Sequence, residues 1–176
     1  MLRALASSDT PTRLVAVSAL GATRGAGKAE ALARAARDAD ENVRLTAIGF
    51  LAEDTSVEAT FALVALLLDA PERDRVRIAL SAPSTGRITG IRQALDGADE
   101  ELASQLASAL ARMHTGDAVE ALIAAATSPN VAARRATATA LGAVAVPEAL
   151  EALRRVARDD EDADVRRIAA LAALHG

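Results

Sequence analysis

The stretch DENVRLTAIGFLA, from Asp40 to Ala52, contains the pattern that decides the fold of the chain. Counting from Asp40, an arginine follows four residues later at Arg44, an alanine seven later at Ala47 and a leucine eleven later at Leu51. Aspartate favours the start of a helix because its side-chain oxygen accepts backbone N–H groups of the first turn. The alanine and the leucine lie on one face of that helix. The stretch therefore predicts an amphipathic helix that begins after Asp40 and buries this face.

The same frame recurs along the chain at nearly constant spacing. Further copies begin at Asp9, Asp69, Asp99 and Asn130. In the copy at Asp69, Glu72 stands three residues later, a pair typical of a capping box. The leucines that end the six copies are 29 to 33 residues apart: Leu20, Leu51, Leu80, Leu110, Leu141 and Leu174. Units of this period cannot bury their apolar faces alone, so the sequence predicts that they stack on one another.

A second helix is predicted before each frame. We place these helices at residues 28–37, 57–68, 87–95, 118–127 and 147–158, with a shortened first member at 1–8. The last frame is assigned to Arg167, Ala170 and Leu174, with Asp162 or Asp164 at its start. The result is one domain over residues 1–176 made of six helix–turn–helix units. Their approximate bounds are 1–21, 22–52, 53–82, 83–113, 114–143 and 144–176.

Three segments resemble a known repeat family. The stretches 109–122 and 140–153 and the segment from Asp164 to Ala170 are similar to HEAT repeats, which are armadillo-like helix pairs. More narrowly, they resemble the HEAT-like repeats of phycobilisome lyases. The resemblance implies an all-α fold, a right-handed α-solenoid of about six HEAT-like pairs. It also implies that the second helix of each pair lines a concave face.

Composition and spacing give no support to catalysis, to a metal site or to a cofactor. Cysteine is absent, which excludes thiol chemistry and disulfides. His114 stands alone in a predicted turn, without the partners that a catalytic histidine needs. The acidic run from Asp159 to Asp164 lacks the glycine and glutamate spacing of an EF-hand. The segment from Gly21 to Lys28 lacks the first glycine and the hydroxyl of a phosphate loop. We therefore expect a protein that is not an enzyme.

The charge balance argues against nucleic acid and membranes as partners. Lys and Arg number 20 against 24 Asp and Glu, for a net charge of −4. The only aromatic residues, Phe50 and Phe61, are both predicted to lie in the core, so bases would find no stacking platform. No apolar run approaches the length of a membrane span, and the N-terminus lacks a signal-peptide core. A cytoplasmic location is expected.

The candidate partner-binding residues lie five and nine positions after each cap, away from the predicted core face. In the central repeats these positions include Ser104, Ser108, Arg135 and Thr139. They combine small, polar and charged side chains, which suits a shallow groove. A protein partner of unknown identity is therefore predicted to bind along the second helices.

Arginines of the second and third units form another candidate site. Arg44, Arg75 and Arg77 are predicted to converge on the groove and to hold an acidic segment by forked hydrogen bonds. The alternative interpretation is that these arginines form salt bridges within the array, to Asp69, Glu72 and Asp74.

The predicted helix at residues 59–68 carries no charge on any face. A helix that is apolar all round tends to be covered. One hypothesis is an interface, either homodimeric or with another chain, around Leu63, Val64 and Leu67. The alternative is a central helix that is buried within the array.

The function that these features favour is a protein–protein interaction scaffold or adaptor. A partner would bind on the concave groove or on an apolar convex patch, without catalysis. The resemblance also allows an accessory subunit of a bilin-lyase-like, chromophore-handling enzyme. A nucleic-acid-binding solenoid is a further alternative. The chain is also interpretable as a fragment of a longer repeat protein, because Met1 begins inside what should be a full helix.

Overall fold

The computed structural model describes residues 2–144 and 146–175, and all regular structure within these ranges is helical. This confirms the all-α prediction of about six helix pairs. Met1, where the first predicted helix begins, lies outside the described residues. The twelve helices are α1 (Leu2–Leu5), α2 (Thr10–Gly21), α3 (Lys28–Ala35), α4 (Glu41–Glu53), α5 (Val57–Leu67), α6 (Arg73–Leu80), α7 (Thr85–Leu95), α8 (Glu100–Met113), α9 (Gly116–Ala125), α10 (Val131–Gly142), α11 (Pro147–Asp159) and α12 (Ala163–His175).

The chain divides into two compact units, Met1–Ala82 and Pro83–Gly176. In the first unit, α2 packs against α4, α4 against α6, and α3 against α5. In the second unit, α8 packs against α10 and α10 against α12, while α7 and α11 each contact α9. Each unit therefore stacks helix pairs in two rows, one made of first helices and one of second helices. None of the described helices is long and apolar enough to cross a membrane.

Most of the predicted helix starts are correct. The side chains of Asp9, Asp40, Asp99 and Asn130 each accept a hydrogen bond from a backbone N–H in the first turn of the helix that follows. These bonds satisfy donors that the helix itself leaves open. The frame therefore begins at its predicted residue in these four copies.

The predicted capping box of the third copy is wrong. Helix α6 begins at Arg73, not after Asp69, and its cap residue Glu72 makes no side-chain capping bond. Pro71 does not explain the delay by itself, because α2 begins directly after Asp9 with Pro11 at the same position of the frame. Leu80 nevertheless reaches the core and is fully buried.

The register of the last copy is also corrected. Leu174 is 79% exposed, whereas the other five leucines of the frame are at most 7% exposed. Asp162 is the cap, since its carboxylate accepts the Val165 N–H at 2.9 Å. The frame therefore continues with Arg166 and with Ala169, which is fully buried, and not with Arg167 and Ala170.

Two glycines allow neighbouring second helices to approach closely. A Cβ atom at Gly21 of α2 would overlap the ring of Phe50 in α4. A Cβ atom at Gly142 of α10 would come within 2.7 Å of the Cβ of Ala172 in α12. No other side chain is small enough to keep these two helix contacts unchanged.

Candidate functional site

The arginine of the frame joins successive helix pairs. Arg134 Nη1 donates to the carbonyl of Ser128 at 2.9 Å, in the loop of its own pair. Its Nε donates to Asp160 at 2.9 Å, in the loop of the next pair. Arg13 repeats the arrangement, with its Nη1 on the carbonyl of Ser7 at 2.9 Å and its Nε on Asp38 at 2.8 Å. These arginines therefore act as clamps between repeats.

The ion pair between Arg13 and Asp38 shifts the pKa values of both groups. Hydrogen bonds from the Arg13 guanidinium hold the pKa of Asp38 below its ordinary value of 3.8. The same contact raises the pKa of Arg13. Both groups therefore stay charged, and the ion pair is favoured in the folded chain.

Arg44, predicted to contact a partner, is a clamp of the same kind. Its Nη2 donates to Glu72 at 2.9 Å, and its Nη1 donates to the carbonyls of Asp38 and Ala39. The side chain is only 14% exposed. The structure therefore places Arg44 in an internal network and does not bring it into an open groove.

The other two arginines of that prediction stay at the surface. Arg75 and Arg77 are both exposed on α6, and Arg77 pairs with Asp74 at 3.1 Å. The convergence of all three arginines is corrected, because Arg44 is held by Glu72 instead. Asp69, the third acid of the alternative interpretation, pairs with Arg37 at 3.0 Å.

The fourth pair uses a different side chain in place of the clamp. Its frame has Ala103 where the others have arginine. Here Asn130 of the next pair donates through Nδ2 to the carbonyls of Leu95 and Ala98, at 2.9 and 2.8 Å. Sequence reasoning assigned Asn130 only as a cap. The signal that was available is that the single asparagine cap directly follows the copy without an arginine.

A cleft between α8 and α10 brings together predicted groove residues. Ser104, Ser108, Arg135 and Thr139 all line it, and its volume is about 450 Å³. The rest of the lining is mostly alanine: Ala111, Ala132, Ala136, Ala140 and Ala143. We call this the α8–α10 cleft. It lies wholly within the second unit.

One end of the α8–α10 cleft is charged and rigid. Arg135 donates to Glu100 at 2.9 Å and to Asp162 at 3.2 Å, and it lies 3.5 Å from Asp164. These carboxylates belong to the first turn of α8 and to the start of α12. The Val165 N–H and the Arg135 charge both lower the pKa of Asp162. The arginine is therefore fixed in orientation by three acids.

Two hydroxyls along the α8–α10 cleft are open to a ligand. Within the described residues, the hydroxyls of Ser104 and Ser108 form no hydrogen bond. The Nε of Arg135 also has no hydrogen-bond partner there, but it is buried and is not accessible to a ligand. Thr139 differs, because its hydroxyl donates to the carbonyl of Arg135 at 3.1 Å. The hydroxyls of Ser104 and Ser108 can therefore donate hydrogen bonds to a bound chain and accept them from it.

The predicted apolar interface needs correction. Leu63 and Leu67 are fully buried in the first unit, and Val64 is half-buried. The outward residues of α5 are Glu58, Phe61, which is 42% exposed, and Ala65. The prediction that Phe61 lies in the core is therefore wrong. An uncharged helix does not reveal from its sequence which face its neighbours cover.

The described part of the chain contains no cluster of metal-binding side chains. No group of three or more His, Asp or Glu side chains there is arranged to hold a metal ion.

Comparison with solved structures gives similar helical proteins at low identity. Human deoxyhypusine hydroxylase in complex with glycerol is 20% identical, covers 99% of this chain and 82% of its own, and has a TM-score of 0.48. An engineered protein is 22% identical over 99% of this chain and 94% of its own, with a TM-score of 0.41. A designed armadillo repeat protein is 18% identical over 99% and 97%, with a TM-score of 0.39. No curated protein sequence matches the chain significantly.

The family assignment rests on sequence. The family model described as HEAT repeats matches residues 1–82 and 88–174, which is nearly the whole chain. The clamps at Arg13, Arg44 and Arg134 all lie within the matched residues. The chain therefore belongs to the HEAT repeat family.

Proposed function

We propose that the chain is a scaffold or adaptor without catalytic activity, and that it binds a segment of a partner protein in the α8–α10 cleft. The observation that carries this proposal is the pair of open hydroxyls, Ser104 and Ser108, above a floor of alanines. Repeat arrays bind partners on the extended surfaces that their stacked helices create. The partner's identity and pathway are not part of the proposal.

The chemistry of the α8–α10 cleft suits a polypeptide backbone. Small side chains let another backbone approach closely, and serine hydroxyls both donate and accept hydrogen bonds. Arg135 is already fixed by Glu100 and Asp162, so binding would cost little side-chain entropy at this end. The cleft therefore favours an extended segment that pairs through its main chain.

The absence of cysteine makes a direct test possible. A single cysteine at Ser104 can carry a thiol-linked photo-crosslinker, and Ser8→Cys in the exposed turn before α2 provides the matched control. We expect proteins that co-purify with the tagged chain to crosslink from Ser104→Cys and not from Ser8→Cys. Equal crosslinking from both positions would contradict the assignment to the α8–α10 cleft. The assignment would also be contradicted if the Ser104→Trp chain co-purified with all of the same partners.

Two narrower statements belong to the same proposal. We propose a cytoplasmic location because the chain has no cysteine, which fits a reducing compartment. The resemblance to phycobilisome-lyase repeats suggests a chromophore-handling role as the alternative. Adding a linear tetrapyrrole to the purified chain tests this role, and an unchanged absorbance spectrum removes it.

A further inference from the structure

A cleft lies between α3 and α5, within the first unit. Its volume is about 880 Å³, and Phe61 forms one wall. Ala33 and Ala62, at 9% and 8% exposure, lie at its base. We call this the Phe61 cleft. A large aromatic ring that is 42% exposed beside small buried alanines offers an apolar seat to a side chain from outside.

Three of the four basic residues that line the Phe61 cleft are already paired within the unit. Lys28 lies 3.6 Å from Asp54, Arg34 lies 3.4 Å from Glu30, and Arg37 lies 3.0 Å from Asp69. Arg37 also donates to the carbonyl of Ala65 at 3.1 Å, which ties the C-terminal ends of α3 and α5 together. These cations are therefore largely committed to the fold.

Arg24 is different, because it forms no ion pair or hydrogen bond with any residue that the structure describes. It is exposed in the loop before α3, next to Gly25 and close to Gly27. Both glycines have positive φ angles, of 151° and 80°, which other residues rarely adopt. The loop thus presents a single uncompensated cation at the N-terminal end of the Phe61 cleft.

One carboxylate in the lining, Glu58, also has no partner among the described residues. It lies in the first turn of α5, where the positive end of the helix dipole stabilises a negative charge. Glu30, in the first turn of α3, is paired with Arg34. The dipole of α5 therefore offsets part of the Glu58 charge, and Arg24 is the cation of the lining that has no partner among the described residues.

We propose that the Phe61 cleft is a second docking site, which takes an extended segment of a partner protein that carries a carboxylate next to an apolar side chain. The apolar side chain packs against Phe61 and the alanines. The carboxylate accepts a forked pair of hydrogen bonds from Arg24. This site lies in the first unit and does not depend on the α8–α10 cleft.

Synthetic peptides of defined charge test the proposal. The probe is a blocked peptide that alternates aspartate and leucine, compared with one that alternates lysine and leucine and one that alternates aspartate and serine. Binding is followed by calorimetry and by amide chemical shifts of the full chain. We expect the aspartate–leucine peptide to bind at least about tenfold more tightly than either other peptide, with shifts at Arg24–Ala33 and Phe61–Ala65.

Matched variants distinguish binding in the Phe61 cleft from a general effect of removing an exposed charge or an exposed apolar side chain. Arg24→Ala and Phe61→Ser should each weaken binding of the aspartate–leucine peptide by about fivefold or more. The controls are Arg73→Ala, at another exposed arginine of the first unit, and Ile78→Ser, at a side chain that is 72% exposed. Both controls should change binding by less than about twofold, and circular dichroism should show that all four variants are folded.

Several results would overturn the proposal. No detectable binding of the aspartate–leucine peptide at about 5 mM, the weak end of peptide affinities, would do so. Equal losses in the controls, or equal binding of the lysine–leucine peptide, would also do so. A chain that sediments as a dimer and becomes a monomer with Phe61→Ser would show that a second copy occupies the Phe61 cleft. Failure of crosslinking at Ser104 would leave this result unaffected, so the two proposals fail independently.

Discussion

Arg134 and Asp160 form a buried ion pair that links two successive helix pairs of the second unit. Arg134 Nε lies 2.9 Å from the Asp160 carboxylate, and each side chain is only 6% exposed. Two further carbonyls, of Ser128 and Pro129, accept hydrogen bonds from the same guanidinium. Arg134 therefore binds both loops with one guanidinium group.

Replacement of this arginine should be costly. Arg134→Met leaves the Asp160 carboxylate without its partner and the Ser128 carbonyl without its donor. Loss of one member of a buried pair typically costs about 3–5 kcal/mol. Urea denaturation of the full chain measures this change.

The matched control is Arg158→Met, because Arg158 is 72% exposed and pairs only with its neighbour Asp159. That change should cost no more than about 0.5 kcal/mol. Equal losses at Arg134 and Arg158 would show that the clamp does not stabilise the fold.

The close contact between Gly21 and Phe50 predicts opposite effects for two glycine substitutions. Gly21→Ala places a Cβ atom in the Phe50 ring, and overpacking of this kind costs about 1–3 kcal/mol. Gly49→Ala has nothing within 4 Å of its new Cβ atom and lies inside α4. Since alanine favours a helix over glycine, this change should stabilise the chain by about 0.5–1 kcal/mol. Thermal unfolding of both variants tests the contact, and stabilisation by Gly21→Ala would refute it.

The corrected register predicts different costs at two leucines of the frame. Leu110 is fully buried, so Leu110→Ala should cost about 2–5 kcal/mol. Leu174 is 79% exposed, so Leu174→Ala should cost no more than about 0.5 kcal/mol. A large loss of unfolding free energy for Leu174→Ala would restore the original register of the last copy.

Acid should weaken the first unit through Asp38. Its pKa is lowered in the folded chain by hydrogen bonds from Arg13, so the stabilisation is complete above the ordinary value of 3.8. It is then lost as the pH falls through the lowered value of the folded state. Asp9, whose pKa is lowered by the Thr12 hydroxyl and N–H, contributes in the same direction.

The experiment is a series of urea denaturations between about pH 7 and pH 2. Asp38→Asn should flatten the loss of unfolding free energy below the ordinary aspartate pKa. Thr127→Ala, at an exposed position that carries no titratable group, should leave the slope unchanged. An unaltered slope for Asp38→Asn would show that the Arg13 pair does not contribute.

The sequence predicted the helix pairs because most frames carry both a cap and a fixed apolar face. It also predicted that Ser104, Ser108 and Arg135 share a surface, since helical spacing places the two serines on one face and Arg135 holds the equivalent position in the next copy. The register of the last copy was wrong because Asp162 and Asp164 are both good caps, and only the bond to Val165 separates them.

Other features depend on contacts that no local pattern contains. The exposure of Phe61 is decided by which face of α5 its neighbours cover. The internal role of Arg44 depends on Glu72, 28 residues away. An arginine on a polar helix face can be either a clamp or a binding residue, and the long-range contact decides which role it has.

The hydrogen bonds from Asn130 to the preceding helix pair limit how this array can be rearranged. Asn130 Nδ2 supplies the donor for the Ala98 carbonyl and a second donor for the Leu95 carbonyl, which also accepts the Ala98 N–H at 3.3 Å. A duplication or exchange that moved the fourth pair alone would remove both Asn130 bonds. The fourth and fifth helix pairs should therefore stay together when repeats are duplicated, exchanged or recombined.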